Sequence, residues 1–146
     1  MYSKAKWNEN LSFTAELDGH IIELDTSIEN GGKDRGPRPK GLMLTALLGC
    51  TGMDVASLIQ KMKIPVKSFE LDCSTETTEE HPKVFKDITL NYYFTGNIED
   101  RIDDIIKAIK LSQEKYCGVS AMLKKNSKII VKLFINEKEI EYPYNN

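Results

Sequence analysis

Residues 36–55 read GPRPKGLMLTALLGCTGMDV, and the reading of this stretch decides the fold. Pro39 is suited to open a helix, because a first-turn proline gives up no intrahelical hydrogen bond. Apolar residues nearly encircle the segment from Leu42 to Leu48, so the helix is expected at the centre of the fold rather than on its surface. It should run to about Lys63, where Pro65 stops it. Asp54 and several small polar residues interrupt the apolar run from Gly41 to Ile59. A bilayer span takes about 20 predominantly apolar residues, so the segment reads as the core helix of a soluble protein. Within it Cys50 lies between Gly49 and Gly52. Glycine inside a helix costs ~1 kcal/mol relative to alanine, so the pair calls for a reason. Close helix packing is one, and a cavity that lets a substrate reach the sulfur is the other; composition leaves both open.

Outward from the helix the pattern changes period. Leu11, Phe13, Ala15 and Leu17 alternate with polar residues, Asp18-Gly19 signals a tight turn, and Ile21, Ile22 and Leu24 follow. These features predict an N-terminal β-hairpin in a β-rich region spanning residues 3–26. ENGGKDRGPRPKG, residues 29–41, reads as a mobile loop. Beyond the helix, Phe69, Leu71 and Cys73 share one strand face, and TETTEEHPK forms a polar turn. Ile88, Leu90, Tyr92 and Phe94 mark the next strand, predicted to pair antiparallel with the first. Asn97 is the expected N-cap of a second helix carrying Ile98, Ile102, Ile105, Ile106 and Ile109 as its buried stripe. That helix should break around Cys117-Gly118, and KIIVKLFI, residues 128–135, is a final strand. The order is an α+β arrangement in a single domain, residues 1–146.

Charge and composition narrow the function. Twenty basic against 22 acidic residues give a net charge of −2, which offers no general attraction to phosphate backbones, so no nucleic-acid partner is expected. MYSKAKWNENLSF lacks the apolar core of a signal peptide, and neither a membrane partner nor export is expected. Three sparse cysteines, Cys50, Cys73 and Cys117, form neither a secreted disulfide framework nor a zinc-binding CxxC pair. They fit a reducing cytoplasm, where a cysteine is either a small core hydrophobe or a working thiol. Cys73, on an apolar strand face, reads as a buried inert thiol. Cys117 would lie near a helix N-terminus if Gly118 ends one helix and Val119 begins another, a setting that lowers a thiol pKa. His20 and His81 are isolated and lack metal-ligand spacing, so they read as surface or turn residues.

Three segments carry a resemblance: GPRPKGLMLTALLGCTGMDV, HPKVFKDITLNYYF and SQEKYCGVSAML. In this order they resemble the central-helix, His-Pro strand and second-cysteine motifs of the OsmC/Ohr family, the osmotically inducible protein C and organic hydroperoxide resistance proteins. The resemblance covers roughly residues 37–135 and puts Cys50 and Cys117 at the family's two cysteine positions. It implies an OsmC-like α+β fold, assembled as an intertwined homodimer with the long cysteine-bearing helices at its centre. It further implies thiol-dependent reduction of organic hydroperoxides in oxidative-stress defence. Cys50 would be the peroxidatic nucleophile and Cys117 the resolving thiol, with no metal or other cofactor and an external dithiol as reductant.

The chain departs from the family pattern at three positions, the smallest being Gly118, where the second-cysteine motif usually has proline. The family's glutamate after the helix-opening proline is absent from Pro39-Lys40-Gly41, and its hairpin arginine has no match in Leu17-Asp18-Gly19-His20. Arg35, Arg38 and Lys40 are then the nearest cations in sequence to support a thiolate, although a charge-rich loop also reads as simply solvated. These departures raise an alternative from another class: a non-catalytic dimer that binds a small apolar or electrophilic molecule between its subunits.

Overall fold

The computed structural model describes residues Met1–Asn145; Asn146, the last residue of the single domain expected above, lies outside the described residues. The chain divides into two compact units, Met1–Thr45 and Ala46–Asn146, and one long helix runs through the boundary.

The first unit is a three-stranded antiparallel sheet, β1 (Ser3–Trp7), β2 (Phe13–Leu17) and β3 (His20–Leu24). The predicted hairpin is β2–β3, closed by Asp18-Gly19, both at positive φ, with Leu17 paired to His20. β1 extends it on the other side of β2, with Ala5 opposite Ala15. The following loop is better organised than its composition suggests. The nearly covered Asp25 carboxylate accepts the backbone N–H groups of Thr26, Lys33 and Arg35 at 2.8, 3.0 and 3.1 Å. One short acidic side chain thus gathers residues 25–35 into a folded loop, where glycine and proline content pointed to a mobile one.

Helix α1 spans Pro39–Lys61, opening on the predicted proline. Its last turn is capped by Arg101, whose guanidinium donates to the Met62 carbonyl at 3.1 Å. In the second unit α1 is followed by β4 (Val66–Thr77), β5 (Phe85–Gly96), α2 (Ile102–Leu111), α3 (Gly118–Leu123), β6 (Ile129–Ile135) and β7 (Lys138–Ile140). The sheet order is β4-β5-β6-β7. β4 and β5 pair antiparallel as expected, and β6 runs parallel to β5. A parallel neighbour requires a long crossover, and α2 with α3 supplies it. The crossover starts with a 3-10 turn at Glu99–Arg101 rather than a helix capped by Asn97. The sequence reading did not anticipate β7, which is short and half polar.

The core lies on one face of this sheet. Ile88, Leu90, Tyr92 and Phe94 of β5 are buried together with Ile129, Val131, Leu133 and Ile135 of β6, the period-two pattern of a half-covered sheet. Ile105, Ala108 and Ile109 of α2 complete it. α1 contributes only Leu47, Thr51, Val55 and Ile59 as buried residues, a single stripe at four-residue spacing. The expectation that α1 lies at the centre of the fold rather than on its surface is corrected for the single chain: Met43 and Met53 are 47% and 72% exposed. By length and composition α1 is apolar enough to cross a membrane. Its Thr51 hydroxyl is nevertheless hydrogen-bonded to Tyr92 of the sheet at 2.6 Å, as befits a helix packed on a protein core.

The Asp25 loop makes a prediction. Backbone hydrogen bonding, first from Arg35, lowers the Asp25 pKa below its ordinary 3.8 despite the opposing effect of burial. A depressed folded-state pKa contributes stability above the unfolded value, and that stability is lost as pH falls through the folded one. Amide exchange at Lys33 and Arg35 should accelerate as pH drops below about 4, after correction for intrinsic rates. Asp25→Asn should accelerate it at pH 7 and remove this acid dependence.

Candidate functional site

Cys50, Asp54 and Cys117 come together in the second unit. One ligand-type atom from each, the two sulfurs and a carboxylate oxygen, lies within 4.8 Å of the others. Cys50 and Asp54 are four residues apart on α1, the spacing that puts two side chains on one helix face. Cys117 arrives from the β5–β6 crossover. After α2 the helix widens into a π turn, Ser112–Tyr116, closed by the Cys117 N–H donating to the Ser112 carbonyl at 2.9 Å. Cys117 itself is extended, at φ −73° and ψ 97°, and precedes α3. The helix break predicted around Cys117-Gly118 is this junction. Its physical form is an extra residue in the turn, a feature common at functional sites.

The two thiols differ. Cys50 is half-buried, whereas Cys117 is 3% exposed. Burial pushes the Cys117 pKa above the ordinary thiol value; hydrogen bonding from Ser120 pulls it back in part, and the neighbouring Cys50 pushes it up again. The Ser120 N–H donates to Cys117 Sγ at 3.3 Å. Cys117 is thereby kept as a protonated thiol beside a more accessible partner, contrary to the lowered pKa that a helix N-terminus suggested. Cys73 stands on β4 opposite Leu90 and is half-buried rather than buried as expected; burial, then Asp72, raises its pKa to about 11.

The glycine question resolves by position. A Cβ on Gly52 would lie 3.1 Å from Leu71 Cδ1, so Gly52 lets α1 approach β4 closely. Gly49 has nothing within 4 Å of where a Cβ would be and serves no packing within the chain. One glycine is for packing and the other leaves open space next to Cys50.

Beneath the sulfurs lies a buried polar network with no counterpart in the sequence reading. Thr51 Oγ1 is 2.6 Å from Tyr92 Oη and 2.8 Å from Ser112 Oγ. Gln113 Nε2 donates to both Thr51 Oγ1 and Tyr92 Oη at 3.0 Å, and Ser112 Oγ donates to Asp54 Oδ2 at 3.0 Å. Burial raises the Tyr92 pKa strongly, so the phenol is neutral. Lys124 reaches the same turn and donates to the Gln113 carbonyl at 2.9 Å. An aspartate four positions after a helix cysteine was the available signal for Asp54. The polar pair Ser112-Gln113 next to KYCG is legible only once the π turn rotates both side chains inward.

The predicted cations lie in the first unit. Arg38 is ion-paired with Asp34 at 2.6 Å, with both side chains about half exposed at 48% and 54%. The Arg35 backbone N–H serves Asp25, and Lys40 falls in the first turn of α1. His20 and His81 are exposed and join no cluster of metal-ligand residues among the described residues. Cys50, Asp54 and Cys117 offer three donors, one short of a closed four-ligand structural zinc set.

Comparison with known proteins bears on the family and the fold. The family model described as OsmC-like protein matches residues 31–132. Protein YhfA of Escherichia coli K12 is 38% identical over 127 residues, spanning 86% of this chain and 90% of that protein. A crystal structure of a hypothetical protein from Aquifex aeolicus VF5 superposes with a TM-score of 0.79 at 25% identity, covering 92% of this chain and 95% of that one. An organic hydroperoxide resistance protein OsmC from Legionella pneumophila shares the fold, with a TM-score of 0.65 at 20% identity and coverage of 92% and 94%. The chain belongs to the OsmC-like protein family, and its two-sheet α+β architecture is the OsmC-like fold.

Removing the Thr51 hydroxyl tests the network. Thr51→Val leaves buried groups of Tyr92, Ser112 and Gln113 short of a partner. Urea denaturation should show a loss of about 1–3 kcal/mol, whereas the exposed Thr45→Val should change stability little.

Proposed function

We propose that this protein is a thiol-dependent hydroperoxide reductase that acts on organic hydroperoxides through Cys50 and Cys117. The observation that carries the reading is the close approach of two free thiols of unequal exposure. The half-buried Cys50 is the one an incoming peroxide can meet, and the enclosed Cys117 is suited to react second. The Cys50 thiolate attacks the O–O bond, giving an alcohol and a Cys50 sulfenic acid. The Cys117 thiol then displaces the sulfenic oxygen as water, leaving a Cys50–Cys117 disulfide, and an external dithiol restores both thiols by exchange. Such a cycle belongs in a reducing compartment, the cytoplasm. The juxtaposition favours this chemistry over non-catalytic binding, which gives no reason for two thiols to meet.

The same reading includes a homodimer. Ala46, Gly49, Met53, Ser57 and Gln60 make an exposed side of α1 that no part of the second unit covers. A second copy of this helix is the proposed occupant, because small residues interspersed with a methionine allow two helices to approach closely.

The direct assay is consumption of cumene hydroperoxide with a dithiol reductant. Wild-type protein should turn over and Cys50→Ser should fall to background, whereas Cys117→Ser without reductant should consume one equivalent of peroxide and hold Cys50 as a sulfenic acid. One equivalent of peroxide should lower the intact mass of wild-type protein by two hydrogens. Turnover unaffected by Cys50→Ser would remove the nucleophile assignment. For the dimer, Met53→Asp should shift the protein from dimer to monomer in analytical ultracentrifugation.

A further inference from the structure

The hydrogen-bond network has only one consistent arrangement of its protons. An ionised carboxylate only accepts, so Ser112 must donate its single hydroxyl proton to Asp54 at 3.0 Å. Ser112 Oγ must then accept from Thr51 across their 2.8 Å contact. Thr51, having given its proton away, must accept from Tyr92 at 2.6 Å, while the amide of Gln113 donates to Thr51 and Tyr92. Every proton in the chain Tyr92–Thr51–Ser112 therefore points toward Asp54. Thr51 and Ser112 are fully buried, so this order is fixed by the fold and holds the Asp54 carboxylate in place beside the two sulfurs.

From this arrangement we infer that Asp54 carries the proton in the resolving step, taking it from the Cys117 thiol and delivering it to the oxygen that leaves Cys50. The inference rests on the reductase reading for the identity of the leaving oxygen, but the proton abstraction from Cys117 does not depend on it. Cys117 is protonated in its enclosed setting, and a thiol attacks poorly until the proton is removed. In the step itself, the Cys117 S–H bond breaks and its proton passes to the Asp54 carboxylate. The sulfur lone pair forms the S–S bond to Cys50, the S–O bond breaks, and the protonated Asp54 returns the proton to the departing hydroxide as water. The balance is one sulfenic acid and one thiol to one disulfide and one water. A carboxylate oxygen of Asp54 lies within 4.8 Å of both sulfurs, and an oxygen added to Cys50 shortens the path to it. Cys50 is the hydrogen-bonded neighbour of Cys117, and the other titratable groups facing the site are Tyr92 from β5, Lys124 following α3, on which Cys117 acts, and Glu114 of the π turn, which also acts on Lys124. None of these others is hydrogen-bonded to Cys117.

The test separates the two steps without requiring peroxide chemistry. In a Cys73→Ser background, dithiobis(nitrobenzoate) reacts with Cys50 and releases one coloured thiolate; attack by Cys117 on the mixed disulfide then releases a second. The second phase should be nearly independent of pH between about 6 and 8 while an ionised aspartate serves as base. Asp54→Asn should slow it at least tenfold at pH 6 and make it climb roughly tenfold per pH unit, because Cys117 must then ionise unaided. Asp54→Glu, which keeps a carboxylate, should recover a flat pH profile. Should Asp54→Asn fail to fold, Ser112→Ala removes the bond that holds the carboxylate together with the Thr51 contact, and its second phase should slow at least threefold. An unchanged second phase in the folded variant overturns the assignment. The outcomes are distinguishable from those of the reductase reading. Wild-type protein inert to peroxide but with an Asp54-dependent second phase defeats the reductase and retains the proton carrier. Normal peroxide turnover with an Asp54-independent second phase does the reverse.

Discussion

The contact on which the site depends is the 2.6 Å hydrogen bond between Thr51 and Tyr92. It fixes α1 in register on β5, and the register of α1 decides where Cys50 and Asp54 stand. The same hydroxyl also meets Ser112 and Gln113, so one buried atom ties the helix, the sheet and the crossover together. In a low-dielectric interior such a network is stabilising when satisfied and costly when a member is lost. It therefore specifies geometry more sharply than apolar packing, which accepts small sliding movements. On the proposed reading, a thiol pair that closes into a disulfide without large rearrangement needs that specificity.

The crossover adds the second constraint. Because β6 is parallel to β5, the chain must return along the covered face before pairing, and that return carries Cys117 past α1. The π turn then inserts the extra residue that brings Ser112 and Gln113 inward while leaving Cys117 extended at its end. Burial does the rest: it separates the two sulfurs into an accessible one and an enclosed, protonated one. Two chemically identical side chains thereby acquire different surroundings from position alone.

Much of this was legible beforehand. Pro39, the alternation in β4 and β5, and the isoleucine stripe of α2 placed the main elements, because each is a local signal of period or of helix termination. The cysteine pair was legible only through resemblance, since spacing along the chain says nothing about a contact made by a crossover. Asp54 was quoted in the sequence and passed over as a polar interruption of an apolar run; its meaning depends on Ser112, on another element. The bonds of the Asp25 loop and the one-sided burial of α1 are not legible for a related reason. Residue composition reports what a segment is made of, whereas one carboxylate accepting three amides, or the number of faces a neighbour covers, is a property of the assembled chain.

Gly49 and Met53 border Cys50 on the side of α1 that the second unit leaves uncovered. Whatever lies on that side forms part of the doorway to the sulfur. Size discrimination among peroxides, if the doorway is completed by another molecule, then belongs to the association and not to the single polypeptide. It would vary with protein concentration, as a property of one polypeptide does not.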